Sequence, residues 1–377
     1  MNRTETMYDI DYQRLGDYIR EVNVRNRELR VTKPMGINID KHFMPSVANI
    51  IGTDLSAYKL VCKNQFACNL MHVGRDEKIP MAMWNDANPI IVSPAYFVFE
   101  ITKTEDLLPE YLMMWFRRAE FDRNAWFYTD ADVRGGMNKD ALLDMRLPIP
   151  TLARQREIVS EYETLTRRIR LNEQMIAKLE ETAQALYRKT FVDNIDKQNL
   201  PLFDIADITY GFPFNSELFC DDNTLFPIIR IRDILSNKTE TFTSEQVDKK
   251  YEINDGDILV GMDGAFHMTI WSGGYALQNQ RIVKIVPKKG KYVSAYQIFY
   301  SIYDAIKQLE SSIEGTTVAH LSDKDMRKLS IIVASTKIQE KTYSLFETLN
   351  RSVITYKKEN LKLNELQSLL LARMGKE

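Results

Sequence analysis

The sequence predicts an α+β chain: two globular units, each followed by a long helix, the helices pairing antiparallel as a coiled coil. Three observations predict this. First, LPIPTLARQREIVSEYETL from Leu147 has a weaker copy, LSIIVASTKIQEKTYSLFETL, from Leu329; Gln155 matches Gln339 and Thr164 matches Thr348, each 184 residues on in a chain of 377. A period that long means a repeated domain, not a solenoid unit. Second, both copies run into an apolar stripe with coiled-coil spacing. Third, the residues ahead of each stripe alternate apolar and polar like half-buried strands.

The helices come first. Pro148 and Pro150 hold the chain extended. Thr151 is the expected N-cap, with Ser335 in the matching place. Beyond it Ile158, Tyr162, Leu165, Ile169, Asn172, Ile176, Leu179, Ala183 and Leu186 recur in steps of four and three. Shifted by 184, the stripe reads Thr342, Phe346, Leu349, Val353, Tyr356, Asn360, Leu363, Gln367 and Leu370. Each stripe, about 43 Å long as a helix, contains an interior Asn. Two arrangements are open: each helix packs on its own domain, or the two pair. In an antiparallel pair facing residue numbers sum to a constant. A sum of 532 sets Asn172 against Asn360 and makes nearly every other layer apolar. A sum of 528 leaves Asn172 against Tyr356. An unpartnered buried amide costs about 1–3 kcal/mol, so 532 is expected.

The globular units repeat as well. RLGDYI at Arg14 matches PLFDIADI at Pro201, and SPAYFVFEI at Ser93 matches NQRIVKIVP at Asn279. LLPEYLMMWFRRAEF and VSAYQIFYSIYDAIKQL have helical spacing, and Asn138 and Ser322, again 184 apart, read as N-caps of short helices. The expected boundaries are residues 1–150 and 194–334 for the globular units, and 151–193 and 335–377 for the helices. In the second unit Asn254-Asp255-Gly256 and Asp263-Gly264 mark turns around a short strand from Ile258 to Val260. The first unit has YKLVCKNQFACNLM there, with less glycine.

Composition excludes several classes. Apolar content is 44%, charged content 27% and net charge −2, ordinary for a soluble globular protein. The N-terminal residues lack a signal-peptide apolar core. No apolar run approaches the ~20 residues of a membrane span. Cys62, Cys68 and Cys220 form no disulfide framework, so a cytoplasmic setting is expected. The four histidines make no metal motif, and no metal or catalytic residue is expected. No nucleotide-binding glycine loop occurs. Asn88-Pro89 is followed by Ile90-Ile91, not by the Pro-aromatic pair of an adenine methyltransferase. His267 and His320 read as loop or core histidines.

Loops rich in Arg, Asn, Gln and Ser suit base edges and phosphates. In the first unit these are Arg30, Lys33, Asn69, His72, Arg75, Arg134, Asn138 and Lys139. In the second they are Phe214, Asn215, Ser216, Arg230, Arg232, Asp263, His267, Gln278, Asn279, Gln280 and Arg281. Taken singly, each is also an ordinary solvated loop residue.

The LPIPTLARQREIVSEYETL stretch, together with ITYGFPFNSELF, FPIIRIRDI, GDILVGMDG, LQNQRIVKI and SIEGTTVAHLSDKDMRKLSI, resembles the DNA-specificity (S) subunit of type I restriction–modification enzymes. The resemblance runs over essentially the whole chain, though the first unit lacks the Gly-Asp-Ile-Leu step. It implies two target-recognition domains, each reading half of a split, asymmetric site in double-stranded DNA, with the coiled coil fixing the gap. It further implies two methyltransferase (M) subunits using S-adenosylmethionine, and motor/nuclease (R) subunits using ATP and magnesium. This chain would bind no cofactor and catalyse nothing. The alternatives are the specificity subunit of a methylation-only complex, or a methyltransferase or nuclease with degenerate motifs.

Overall fold

A computed structural model describes residues 12–46, 52–71, 73–129, 135–312 and 319–375. The chain divides into two compact units: the described residues of Met1–Arg167 with Leu363–Glu377, and Arg168–Lys362. Each unit therefore includes parts of both long helices. The fold is α+β.

In the first unit, strand Tyr12–Arg14 pairs antiparallel with Arg146–Pro148, the strand just before the first long helix. A four-stranded antiparallel sheet follows the order Ile19–Glu21, Phe97–Ile101, Phe66–Cys68, Met81–Met83. Its core stacks Phe66 on Phe99 at 5.0 Å, with Phe116 edge-on at 5.9 Å. Burying such rings supplies much of a domain's stability, with offset or edge-on geometry preferred. The expected helix LLPEYLMMWFRRAEF is two helices, Pro109–Phe116 and Ala119–Phe127. It breaks at Arg118, whose backbone is extended and whose guanidinium lies over Trp115 at 4.1 Å.

The second unit repeats this scheme. Gln198–Pro201 pairs with Ser330–Val333. The sheet order Ala206–Tyr210, Ile282–Pro287, Ile258–Gly261, Met268–Ile270 reproduces that of the first unit. A single 18-residue helix, Ala295–Ser312, packs with it. The short helices expected behind Asn138 and Ser322 are Lys139–Asp144 and Asp323–Met326; Asn138 accepts from Asp140 N–H at 2.9 Å and Ser322 Oγ from Asp325 N–H at 3.2 Å.

The divergent loop keeps its backbone. Gly256 N–H donates to the Trp271 carbonyl, and Trp271 N–H to the Asp257 carbonyl. In the first unit Asn64 donates to Trp84 and Trp84 to Gln65 in the same way. Gly256 has φ +92° and Asn64 φ +64°. Asn is the side-chain-bearing residue that best tolerates this left-handed region, so the turn survives without its glycine.

The long helices are Leu152–Tyr187 and Thr336–Arg373; a π-helical turn, Arg188–Val192, extends the first. Every residue of both predicted stripes is buried or half-buried. Within the second unit Asn172 donates to Asn360 Oδ1 at 2.8 Å, flanked by Arg168–Glu359 at 2.7 Å and Lys357–Glu180 at 3.0 Å. Within the first, Gln367 donates to Thr166 Oγ1 at 2.7 Å. These pairs place the helices antiparallel, with facing numbers summing close to 532.

The repeated glutamines lock the helix starts. Gln155, fully buried, donates to the carbonyls of Asp106 (2.6 Å) and Pro150 (2.8 Å) and accepts from Leu108 N–H (2.9 Å). Gln339, also buried, donates to the Tyr292 carbonyl (3.0 Å), accepts from Ala334 N–H (3.2 Å) and meets Gln297. Each ties a long helix to the loop ahead of its domain's helix.

Candidate nucleic-acid interface

The second unit gathers most of its candidate residues at one edge. Strands Phe226–Ile229 and Ala276–Gln278 run parallel, with Ile229 opposite Gln278, so Arg230 and Asn279 leave the sheet side by side. Asn279 N–H donates to the Ile229 carbonyl at 3.3 Å. Gly261 lies opposite Ile282, and Val260 opposite Met268. Asp263, His267 and Arg281 therefore emerge from adjacent strand ends. Phe212 bridges to Asn279, bringing the Phe214–Ser216 turn to the same place. Gly211 permits this approach: a Cβ there would stand 1.9 Å from the Asn279 carbonyl oxygen, inside any allowed contact.

Two candidates are corrected. Gln278 is fully buried; its side-chain amide donates to the carbonyls of Thr209 (2.7 Å) and Ile282 (2.8 Å) and so ties strands together. Phe214 is 8% exposed and packs with Ile228 and Leu277. Both side chains are buried and present nothing to a ligand. Asn215 keeps its side chain in the turn, accepting from Glu217 N–H at 3.0 Å. Ser216, Gln280 and Arg232 are exposed. Arg230 is half-buried, with its guanidinium 3.5 Å from Asp233, whose carboxylate also accepts from the Arg230 N–H at 2.9 Å. Asn279 turns back to accept from Gln280 N–H at 2.6 Å.

In the first unit Arg30 pairs with Glu28 at 2.6 Å, and Lys33 is exposed. Asn69 accepts from Met71 N–H at 3.0 Å. Asn138 is occupied as an N-cap. Lys139 meets Glu21 at 2.8 Å, a bond that raises its pKa. His72, Arg134 and the Arg75 side chain lie outside the described residues.

The sequence reading missed two features. His320 is the loop histidine the sequence allows, half exposed, but its 2.6 Å contact with Asp263 is not foreseen there. Its signal was the Asp263–Gly264 turn, but nothing local links two residues 57 apart. The first unit also exposes Trp126, Phe127 and Tyr128, Phe127 by 80%. Among the described residues, no cluster of three or more His, Cys, Asp or Glu is placed to hold a metal. No helix among them is long and apolar enough to cross a membrane.

Residues 194–365 match the family model described as "Type I restriction modification DNA specificity domain". These residues belong to the type I restriction–modification DNA specificity family. The chain is 36% identical over 123 residues to the type I restriction enzyme EcoBI specificity subunit of Escherichia coli, covering 33% of this chain and 26% of that protein. It is 21% identical over 287 residues to the MjaIX specificity subunit of Methanocaldococcus jannaschii, 64% of each. The chain thus spans about a quarter and about two thirds of the lengths of these specificity subunits. A crystal structure of the type I restriction–modification S subunit from M. genitalium superposes with a TM-score of 0.63, covering 98% of both chains at 12% identity. That likeness establishes a shared fold and extends over both units.

Proposed function

We propose that this chain is the DNA-reading subunit of a type I restriction–modification complex. Each unit reads one half of a bipartite, asymmetric site in double-stranded DNA. The long helices set the spacing and dock two methyltransferase subunits, and motor/nuclease subunits join for restriction. The chain itself is non-catalytic: S-adenosylmethionine, ATP and magnesium act on the partner subunits, and the complex works in the cytoplasm.

One observation carries this reading: two copies of one scaffold present different side chains at corresponding strand ends. Conserved framework with divergent loops is the form expected of two readers with different targets. Phosphate contacts from exposed residues such as Lys33 and Arg232 would orient the duplex, and base-edge contacts would select it. A net charge of −2 means that partner subunits supply much of the phosphate contact, so the complex should show a steeper salt dependence than the chain alone.

The test is base-resolved mapping of adenine methylation with and without this chain. A bipartite motif that depends on the chain is expected. Exchanging residues 200–330 for another recognition domain should change one half of the motif and leave the other. If both halves change together, the two-reader assignment is wrong.

A further inference from the structure

Three side chains of the second unit meet at the loop edge. Asp263 Oδ1 lies 2.6 Å from His320 Nδ1, and Asp263 Oδ2 lies 3.1 Å from a terminal nitrogen of Arg281. Backbone bonds hold the three segments together. Met262 N–H donates to the Arg281 carbonyl (2.9 Å), Leu321 N–H to the Met262 carbonyl (2.8 Å), and Gly264 N–H to the Ala319 carbonyl (2.9 Å). The Asp263 side chain is 26% exposed, whereas Arg281 and His320 are 56% and 50% exposed. The carboxylate sits behind the two donors.

The internal repeat tells whether the fold needs this cluster. The Leu321–Met262 bond recurs as Met137 N–H to the Leu70 carbonyl at 2.9 Å. Phe66 faces Phe99 as Ile258 faces Ile285. Counting outward from these anchors, Asp263, Arg281 and His320 correspond to Met71, Ala95 and Gly136. None of the three is charged. The scaffold builds the same sheet and the same loop tie without the cluster, so the cluster answers to something other than folding.

We infer that Asp263 is a positioning residue for a reading head formed by Arg281 and His320, which recognises a guanine edge in the half-site of the second unit. This rests on the DNA-reading function proposed above. With one terminal nitrogen on Asp263, Arg281 keeps its remaining N–H donors for a bidentate contact. Guanine offers two acceptors, O6 and N7, in the major groove, and Arg matches them as a fork. Asp263 binds His320 through Nδ1 and leaves Nε2 for a neighbouring contact. A carboxylate facing DNA alone would be repelled by phosphate; between two donors it orients them.

The experiment reassembles the full methyltransferase complex with variant chains and maps methylation on a library randomised across both half-sites, with melting curves to verify folding. Arg281→Ala should lose roughly 5- to 150-fold discrimination at one base pair of one half-site. Arg281→Lys keeps the charge but not the fork. It should retain affinity and salt slope while losing the same discrimination, and it carries the test if the alanine variant fails to fold. Asp263→Asn should lose part of that discrimination at the same base pair. The inference is overturned if the Arg281 variants leave every base preference intact while Arg281→Ala lowers the salt slope by about one, which marks a phosphate contact. It is also overturned if folded Asp263→Asn reads that base pair as the unaltered chain does. A complex with the unaltered chain that shows no bipartite preference would instead overturn the proposed function itself.

Discussion

Asn172 and Asn360 face each other across the two long helices, amide to carbonyl oxygen at 2.8 Å, and Asn172 is 2% exposed. An amide pair in a mostly apolar seam fixes register, because any slip strands both polar groups. Asn172→Leu should cost about 1–3 kcal/mol, the penalty for leaving the side-chain carbonyl oxygen of Asn360 without its donor. The double variant with Asn360→Leu should recover most of that loss. Thermal melts of the single and double variants complete the cycle; a double variant as unstable as the summed singles would mean the amides do not act together.

The glutamine ties are expected to hold each helix start. Gln155→Met retains the packing but removes partners from Leu108 N–H and from the Asp106 and Pro150 carbonyls. Destabilisation of about 1–3 kcal/mol or more is expected. Amide hydrogen exchange should report it locally, with Leu108 losing protection before the sheet does.

The two versions of the left-handed turn should respond differently to substitution. Gly256→Ala places a Cβ at φ +92° and should cost about 1–2 kcal/mol. A Cβ there meets only the Asn350 side-chain nitrogen, at 3.7 Å, so the cost is conformational and not a clash. Gly256→Asn should cost less, since Asn64 already serves at this position of the first unit. Chemical denaturation of the two variants side by side separates the outcomes; equal losses would point to crowding.

Acid should loosen the helix Asp323–Met326. Lys328, and then Ser322, hold the Asp325 carboxylate at about 2, below its ordinary 3.8. A depressed folded-state value means that its contribution is complete above the ordinary value and is lost as pH falls through about 2. The stability difference between the unaltered chain and Asp325→Asn should therefore be constant near neutrality and shrink below about pH 4. Denaturation at a series of pH values measures it.

Much of the scaffold was legible because it is written in local periodicity. The stripe from Ile158 to Leu186 needed only steps of three and four, and Asn138 and Ser322 needed only their place before a short helix. The helix break at Arg118 was not legible, because no proline or glycine marks it; the extended backbone there accompanies a guanidinium laid over Trp115. The turn at Asn64 was hidden for a related reason: its likeness to Gly256 lies in backbone angle and hydrogen bonding, not in residue type.

By itself the sequence determined that a domain-plus-helix unit occurs twice, that each helix carries an interior Asn in a mostly apolar seam, and that strand ends in the second unit are rich in Arg, Asn and Gln. These follow from spacing and composition, which act over a few residues. Tertiary structure alone decided which of those side chains are available. Gln278 and Phe214 turned inward because the Thr209 and Ile282 carbonyls take the Gln278 amide and Ile228 and Leu277 pack on the Phe214 ring. Asp263, Arg281 and His320 met because two neighbouring strand ends bring Asp263 beside Arg281 and a backbone bridge ties the loop bearing His320 to Asp263, which no local signal in the chain could show.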